Sequence, residues 1–423
     1  MSNKAQCVYQ CVDQDREGMR KRPRVWTVTR DVLDALLTVC CIAPLVVSYW
    51  RGTFQLLDLY ILPQDPPSVI SSVPSIALSA VIALVGGLFF IYVQDVAKAW
   101  VHSVRSPISE LMLKRIYCYV FGLVIVNHWR AVWALWDRYT GFDLYSGIQC
   151  SSTGMVVLLF TRSFRNSISP PVIAASDLCE EFFGIQTRFR VPRSRHVLFF
   201  LDCLFSLIIP GSSIVCVVRG FWYIFDHVFF FSVHAESYLL SLGLGIVLSF
   251  VALLLQHSAA AGSRKLEDGR HWFLKICFED LFLFLACIAG INLWRGVWGL
   301  CNVYVFPSDP VLSSWTCHTV GMGGLMLLFH GSSALVKGYQ IDGEFTGGKG
   351  CYLPSSSFTM FKHHMGQTHR LPGCPIKRLE HPVPAEAADC PAENAITIKM
   401  APLCVAEELS PGDTQREHNG GGT

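Results

Sequence analysis

Residues 48–60 read SYWRGTFQLLDLY, and the pattern returns three times: NHWRAVWALWDRY at 127–139, CVVRGFWYIFDHV at 216–228 and NLWRGVWGLCNVY at 292–304. Each copy ends an apolar stretch with an arginine (Arg51, Arg130, Arg219, Arg295) followed by glycine or alanine. Three residues after the arginine stands an aromatic: Phe54, Trp133, Trp222 or Trp298. Seven after it comes Asp58, Asp137, Asp226 or Asn302, and two further on three copies have Tyr60, Tyr139 and Tyr304, while the third has Val228. The arginines are 79, 89 and 76 residues apart. Mostly hydrophobic repeats of this length predict a membrane protein assembled from tandem helical hairpins.

Composition supports that class. The 423 residues are 52% hydrophobic and only 16% charged, below the charge content of an ordinary soluble domain. Residues 66–94 contain no Lys, Arg, Asp or Glu, and residues 196–218 contain only Asp202. Stretches of this length match a hydrocarbon core of roughly 30 Å. A large soluble helical core would need polar faces on these helices, and they are largely missing. The net charge of +2 gives no reason to expect nucleic acid.

Eight apolar segments follow in order, near 32–56, 71–94, 113–136, 146–162, 197–225, 230–256, 274–300 and 312–330. The fourth is the least apolar. It is paired with the eighth because Cys150 and Gly154-Met155 match Cys317 and Gly321-Met322, each leading into Leu-Leu-Phe. Alternate flanks hold twenty basic residues, among them Arg20, Lys21, Lys98, Arg105, Arg165, Arg190, Arg264 and Lys275. The intervening short loops hold one, Arg138. The positive-inside rule then places both termini in the cytoplasm. The expected fold is therefore an all-α polytopic membrane protein, with eight transmembrane helices as four tandem hairpins in two parallel halves. Its expected divisions are a basic cytoplasmic segment (1–30), a first membrane half (31–175), a cytoplasmic linker (176–196), a second half (197–340) and a disordered cytoplasmic tail (341–423). Pro44 and Pro210 should kink the first and fifth helices. Gly86-Gly87, Gly243–Gly245 and Gly321–Gly324 offer small surfaces for close helix contact.

The fourfold motif is the candidate site. On a continuous helix Arg and Asp seven apart share a face but stand roughly 10 Å apart between alpha carbons. Each arginine is therefore expected to reach a carboxylate of an adjacent repeat, so that Arg51, Asp58, Arg130, Asp137, Arg219, Asp226, Arg295 and Asn302 form one charged layer near the outer boundary. The bland alternative is an interfacial belt of Trp, Tyr and snorkelling Arg. Asn302 leaves four arginines against three aspartates, an excess that could draw an anion or a lipid phosphate. Asp34, Asp202, Glu279 and Asp280 lie near the cytoplasmic starts of helices, where the dipole favours acids. Asn127, His128, His234, Glu236 and Asn292 are polar residues beside the motif, suited to packing or to a solute path.

Cysteines do not pair as in a zinc site, and most read as buried hydrophobes. A Cys301–Cys317 bridge is one candidate. Cys7 and Cys11 are candidate acylation positions, and His363, His364, His369 and Cys374 form an irregular candidate metal cluster. Phosphate-binding, dinucleotide, zinc-protease, serine-elbow and selectivity-filter signatures are missing, so neither enzymatic activity nor a cofactor is expected.

The eight-span layout, Trp-Arg-Gly at 50–52 and 294–296 and Asp-Arg-Tyr at 137–139 resemble the Fuseless family of insects and other invertebrates over about residues 30–335. The resemblance implies a multi-pass neuronal plasma-membrane protein that organises presynaptic voltage-gated calcium channels and supports synaptic transmission. Ion-channel or active-zone proteins would then be its partners beside the lipid bilayer. The rival expectation is a transporter or channel for a small, anionic solute.

Overall fold

The computed structural model describes residues 32–63, 70–104, 106–177, 183–229, 235–267, 269–335 and 339–353. These residues fold almost entirely as helix, with no strand among them. Eight long helices appear in chain order. They are α1 (Val32–Tyr60), α2 (Val73–Ser103), α3 (Pro107–Thr140), α4 (Leu144–Phe160), α5 (His196–Val228), α6 (Ala235–Lys265), α7 (Trp272–Tyr304) and α8 (Pro310–Leu327). By length and apolarity α1, α2, α5, α6 and α7 can cross a membrane. The others are shorter, as α4 and α8 are with 17 and 18 residues, or carry more charge, as α3 does.

Local chemistry sets the helix ends. Ser72, Asp143 and Asp309 accept from Ser75 N (3.3 Å), Ser146 N (2.8 Å) and Leu312 N (2.9 Å), satisfying amides that the first turn leaves free. Pro74 and Pro310 occupy the first turns, where a missing N–H costs nothing. In α1 a π-turn at Thr38–Ile42 lies directly before Pro44, widening the helix where the proline removes a donor.

The helices form two concentric sets. The odd helices touch in a closed order, α1 to α3 to α5 to α7 and back to α1. The even helices pack outside them. Burial separates the sets: 61% of the most apolar window is buried in α5 and α7, against 33% in α2 and 28% in α6. Outward residues such as Val81, Val85, Phe89 and Val96 on α2, and Leu240, Val247 and Leu254 on α6, are exposed apolar side chains that fit contact with a bilayer.

The tight pairs are α2 with α3, α4 with α5, α6 with α7, and α8 with α1. This corrects the expected hairpins, which joined α1 to α2 and α3 to α4. The motif's small residue is the physical reason. A Cβ on Gly52 would collide with backbone atoms of Ser314 and His318 on α8, and one on Gly220 with Ser151 and Gly147 on α4. Gly296 is in the same relation to Leu242 on α6. Each odd helix is thus seated against the even helix that precedes it round the ring.

The short α4 and α8 leave room at the basic end, and the chain after each turns inward. Residues 164–177 and 331–335 fill the centre of the odd-helix ring. Phe164, Val172, Ala174 and Ala334 are core residues there. Asp177 ties the two segments together, accepting from Gly331 N (3.1 Å) and Ser332 N (2.7 Å). The expected boundary at 341 also moves: residues 339–353 are packed against the helices, because Asp342 accepts from Phe164 N (2.7 Å) and Arg165 N (2.9 Å). Burial pushes the Asp342 carboxyl up to about 6 against those two amides, while its neighbour Glu344 is held below the usual carboxylate range by the Arg190 guanidinium, 2.5 Å away. The segments 1–31 and 354–423, with Cys7, Cys11, His363, His364, His369 and Cys374, lie outside the described residues, as does His234.

Candidate functional site

Arginine is the group that the fold must accommodate. Arg51, Arg130, Arg219 and Arg295 are among the most buried side chains of the molecule, each 3% exposed or less. A guanidinium out of water needs both a counter-charge and partners for its five N–H donors. For Arg130, Arg219 and Arg295 the structure supplies both, from two different helices, while Arg51 receives an amide in place of the charge. Arg130 Nε donates to Asp58 Oδ1 (2.7 Å), Arg219 Nε to Asp137 Oδ1 (2.9 Å) and Arg295 Nε to Asp226 Oδ1 (2.7 Å). Arg51 Nε closes the circle on Asn302 Oδ1 at 2.8 Å. Every arginine therefore reaches back to the acid or amide of the preceding repeat, and the first reaches the last. All eight motif residues enter this one ring.

The second set of partners was not singled out in the sequence. On each even helix a serine is followed four residues later by serine or cysteine, which puts both on one face. Arg130 donates to Ser75 Oγ (2.8 Å) and Ser79 Oγ (2.6 Å). Arg295 donates to Ser237 Oγ (2.7 Å) and Ser241 Oγ (2.6 Å). Arg219 donates to Ser146 Oγ (3.1 Å) and to Gly141 O (2.7 Å). Arg51 donates to Ser313 Oγ (3.0 Å) and to Cys317 Sγ (3.0 Å). Cys301 and Cys317 are free thiols, and so are Cys150 and Cys216. The candidate Cys301–Cys317 bridge is not formed, and Cys317 serves instead as an arginine partner.

The fourth corner is also the most polar. Gln55 Nε2 donates to the same Asn302 oxygen (3.3 Å) and its Oε1 accepts from Ser314 Oγ (3.1 Å). One turn inward, His318 meets Thr53 Oγ1 (2.9 Å) and Tyr119 OH (3.1 Å).

Aromatic residues close the space inside the ring. Trp50 meets Trp129 and Trp294 edge-on, with centroids 5.1 and 5.5 Å away. In the next layer Trp298 contacts Phe54 and Trp222 (both 5.8 Å), and Trp222 contacts Trp133 (5.7 Å). Such pairs contribute about 0.5–1.5 kcal/mol each beyond their buried area. The inward segments meet this layer from the basic side: Trp50 Nε1 donates to Ala334 O (2.9 Å) and Trp294 Nε1 to Pro170 O (2.8 Å). The indole groups, for which an interfacial belt was the alternative reading, thus point into the core.

Other polar residues have local duties. Asp202 fastens the chain before α5, accepting from Thr187 Oγ1 (2.7 Å), Phe189 N (3.0 Å) and Val191 N (3.1 Å), a role beyond the expected helix-dipole placement. Glu279 accepts from Ser263 Oγ at 2.6 Å. Asn127 and Asn292 each donate to the carbonyl four residues earlier. His128 Nε2 is sealed off and has no partner.

No curated protein and no solved structure matches the chain. The Fuseless family model matches residues 29–335, which run from the base of α1 through the closing helix α8 and its inward segment. The chain that builds this arginine ring belongs to the Fuseless family.

Proposed function

We propose that this protein is a noncatalytic, eight-span organiser of presynaptic voltage-gated calcium channels, placed in the plasma membrane with both termini cytoplasmic. α3, α4 and α8 complete the spans, since each carries its share of the ring at the same depth as the more apolar helices. Family membership supports the assignment. The observation that carries it is the filled interior: two aromatic layers and two inward chain segments occupy the axis where a solute route would run. A body built this way offers rigid outer helix faces to neighbouring membrane proteins.

A second reading is favoured by the corner at Arg51, where a buried guanidinium lacks a carboxylate. It makes the protein a secondary transporter or channel for a small anionic solute. Two measurements on the full chain separate the readings. Affinity purification from presynaptic membranes should retain the calcium channel, and removal of the protein should lower channel density at release sites. Purified protein in liposomes should show no chloride or phosphate flux above empty vesicles. Flux that disappears in Arg51→Gln, together with failure to retain the channel, would reverse the assignment.

A further inference from the structure

A groove of about 770 Å³ opens beside α5 at the basic end of the bundle. Leu198, Leu201, Phe205 and Ile208 line it from the helix at steps of three and four residues, so they share one face. Phe189, Val191 and Pro192, from the chain before α5, form the other wall. Phe189, Leu198, Leu201 and Ile208 are exposed.

Hydrogen bonds hold that second wall in place. Arg188 N donates to Ser206 Oγ at 2.8 Å, and Phe189 N and Val191 N donate to the Asp202 carboxylate. The Phe189 ring rests against Phe205 with centroids 5.0 Å apart. Asp202 is the one acid in the lining, and its oxygens are taken up by these amides, Thr187 and Ser206.

The two ends of the groove differ in chemistry. Arg190 and Arg195 stand at the end where α5 begins, and the rest of the helical wall is apolar side chains above Asp202. Arg190 is committed to Glu344 through two N–H donors. Arg195 is exposed and has no ion-pair partner among the described residues. The first turn of α5 has no side-chain cap, so its dipole adds to the pull of Arg195 on an anion. From Arg195 to Ile208 the helix rises roughly 20 Å, which covers the roughly 15 Å that one leaflet contributes to the hydrocarbon core.

We propose that this groove binds an anionic phospholipid, with its phosphate at Arg195 and one acyl chain laid along α5 from Leu198 to Ile208. A basic side chain at the head of an apolar groove matches the two-part chemistry of such a lipid. Charge selects the headgroup, because a zwitterionic lipid brings no net charge to the free guanidinium. The apolar wall selects a lipid over a soluble phosphate, which gains nothing from burial there. This site is separate from the arginine ring and does not depend on the channel-organising role.

The test is native mass spectrometry of the full chain in detergent, titrated with phosphatidylserine or phosphatidylcholine of identical acyl chains. Phosphatidylserine should saturate and bind about fivefold more tightly, the effect of one arginine beside an anionic headgroup. Arg195→Gln should erase that preference. Arg270→Gln, at an exposed arginine of the same end but outside the groove, should keep it. Leu201→Trp obstructs the groove at constant charge and should weaken both lipids. Arg195 and Leu201 are exposed, so both variants should keep the native elution and melting midpoint. The comparison of the two lipids needs no variant and stands if a substitution fails to fold. Inorganic phosphate should not displace the lipid. Equal binding of the two lipids, a preference that survives Arg195→Gln or is equally lost in Arg270→Gln, undiminished binding to Leu201→Trp, or displacement by phosphate would overturn the proposal.

Discussion

Three corners of the arginine ring hold an ion pair and the fourth does not. At Arg130, Arg219 and Arg295 an aspartate lies within 2.9 Å, and the hydroxyls of the neighbouring even helix absorb the remaining donors. At Arg51 the same position is an amide, whose oxygen Gln55 shares, and compensation is spread over Asn302, Cys317 and Ser313. That corner is also where the two ends of the helical core meet, α8 against α1. The comparison teaches that the ring is not held uniformly. Three joints are locked by charge, while the joint that closes the circle relies on dipoles and close backbone contact.

The largest expected effect comes from the driest ion pair. The Asp137 side chain is 15% exposed, against 42% for Asp58 and 33% for Asp226. Asp137→Ala leaves Arg219 buried without its counter-charge and should cost about 3–5 kcal/mol, read as a fall in detergent melting midpoint. Asp58→Ala should cost clearly less, since water reaches that carboxylate. Equal losses would show that all three charged corners are alike.

At the uncharged corner, backbone approach should matter more than charge. Gly52→Ala places a methyl against Ser314 O and His318 backbone atoms, and should cost about 1–3 kcal/mol by forcing α1 and α8 apart. Cysteine cross-linking between positions near Gly52 and His318 in the variant, compared with native, would detect the separation. The smallest effect is a gain. Asn302→Asp supplies the missing carboxylate and should stabilise the protein by about 1 kcal/mol, seen as a raised midpoint that vanishes in the Arg51→Gln background. An unchanged midpoint in Asn302→Asp would mean that the dipoles already meet the whole need of Arg51.

Much of this was readable from the chain. The fourfold motif, its common depth and the pairing between adjacent repeats follow from residue spacing, because a seven-residue step is too long for one helix to pair its own Arg and Asp. The serine and cysteine partners were harder to see. Ser75, Ser146, Ser237 and Ser313 do not stand at a constant distance from the acid before them, since loops of different length intervene. Only the four-residue step to Ser79, Cys150, Ser241 and Cys317 is invariant, and it becomes visible once each even helix is aligned by its own start. Helix pairing was misread for a related reason. Sequence neighbours suggest hairpins, whereas the choice between two flanking helices is made by which face of Gly52, Gly220 or Gly296 is bare. The inward segments had no separate place in the sequence reading, and the shortness of α4 and α8 was the clue to the space they fill.

The joint between α8 and α1 has a consequence for synthesis. Arg51 leaves the ribosome more than 260 residues before Cys317, its partner on the last helix. Until α7 and α8 follow, the Arg51 guanidinium lacks the partners it has in the finished bundle, whereas those of Arg130 (Asp58 and Ser75) precede it in the chain. Assembly of the bundle is therefore gated by its final helix, and a chain halted before α8 should be recognised by quality control through α1.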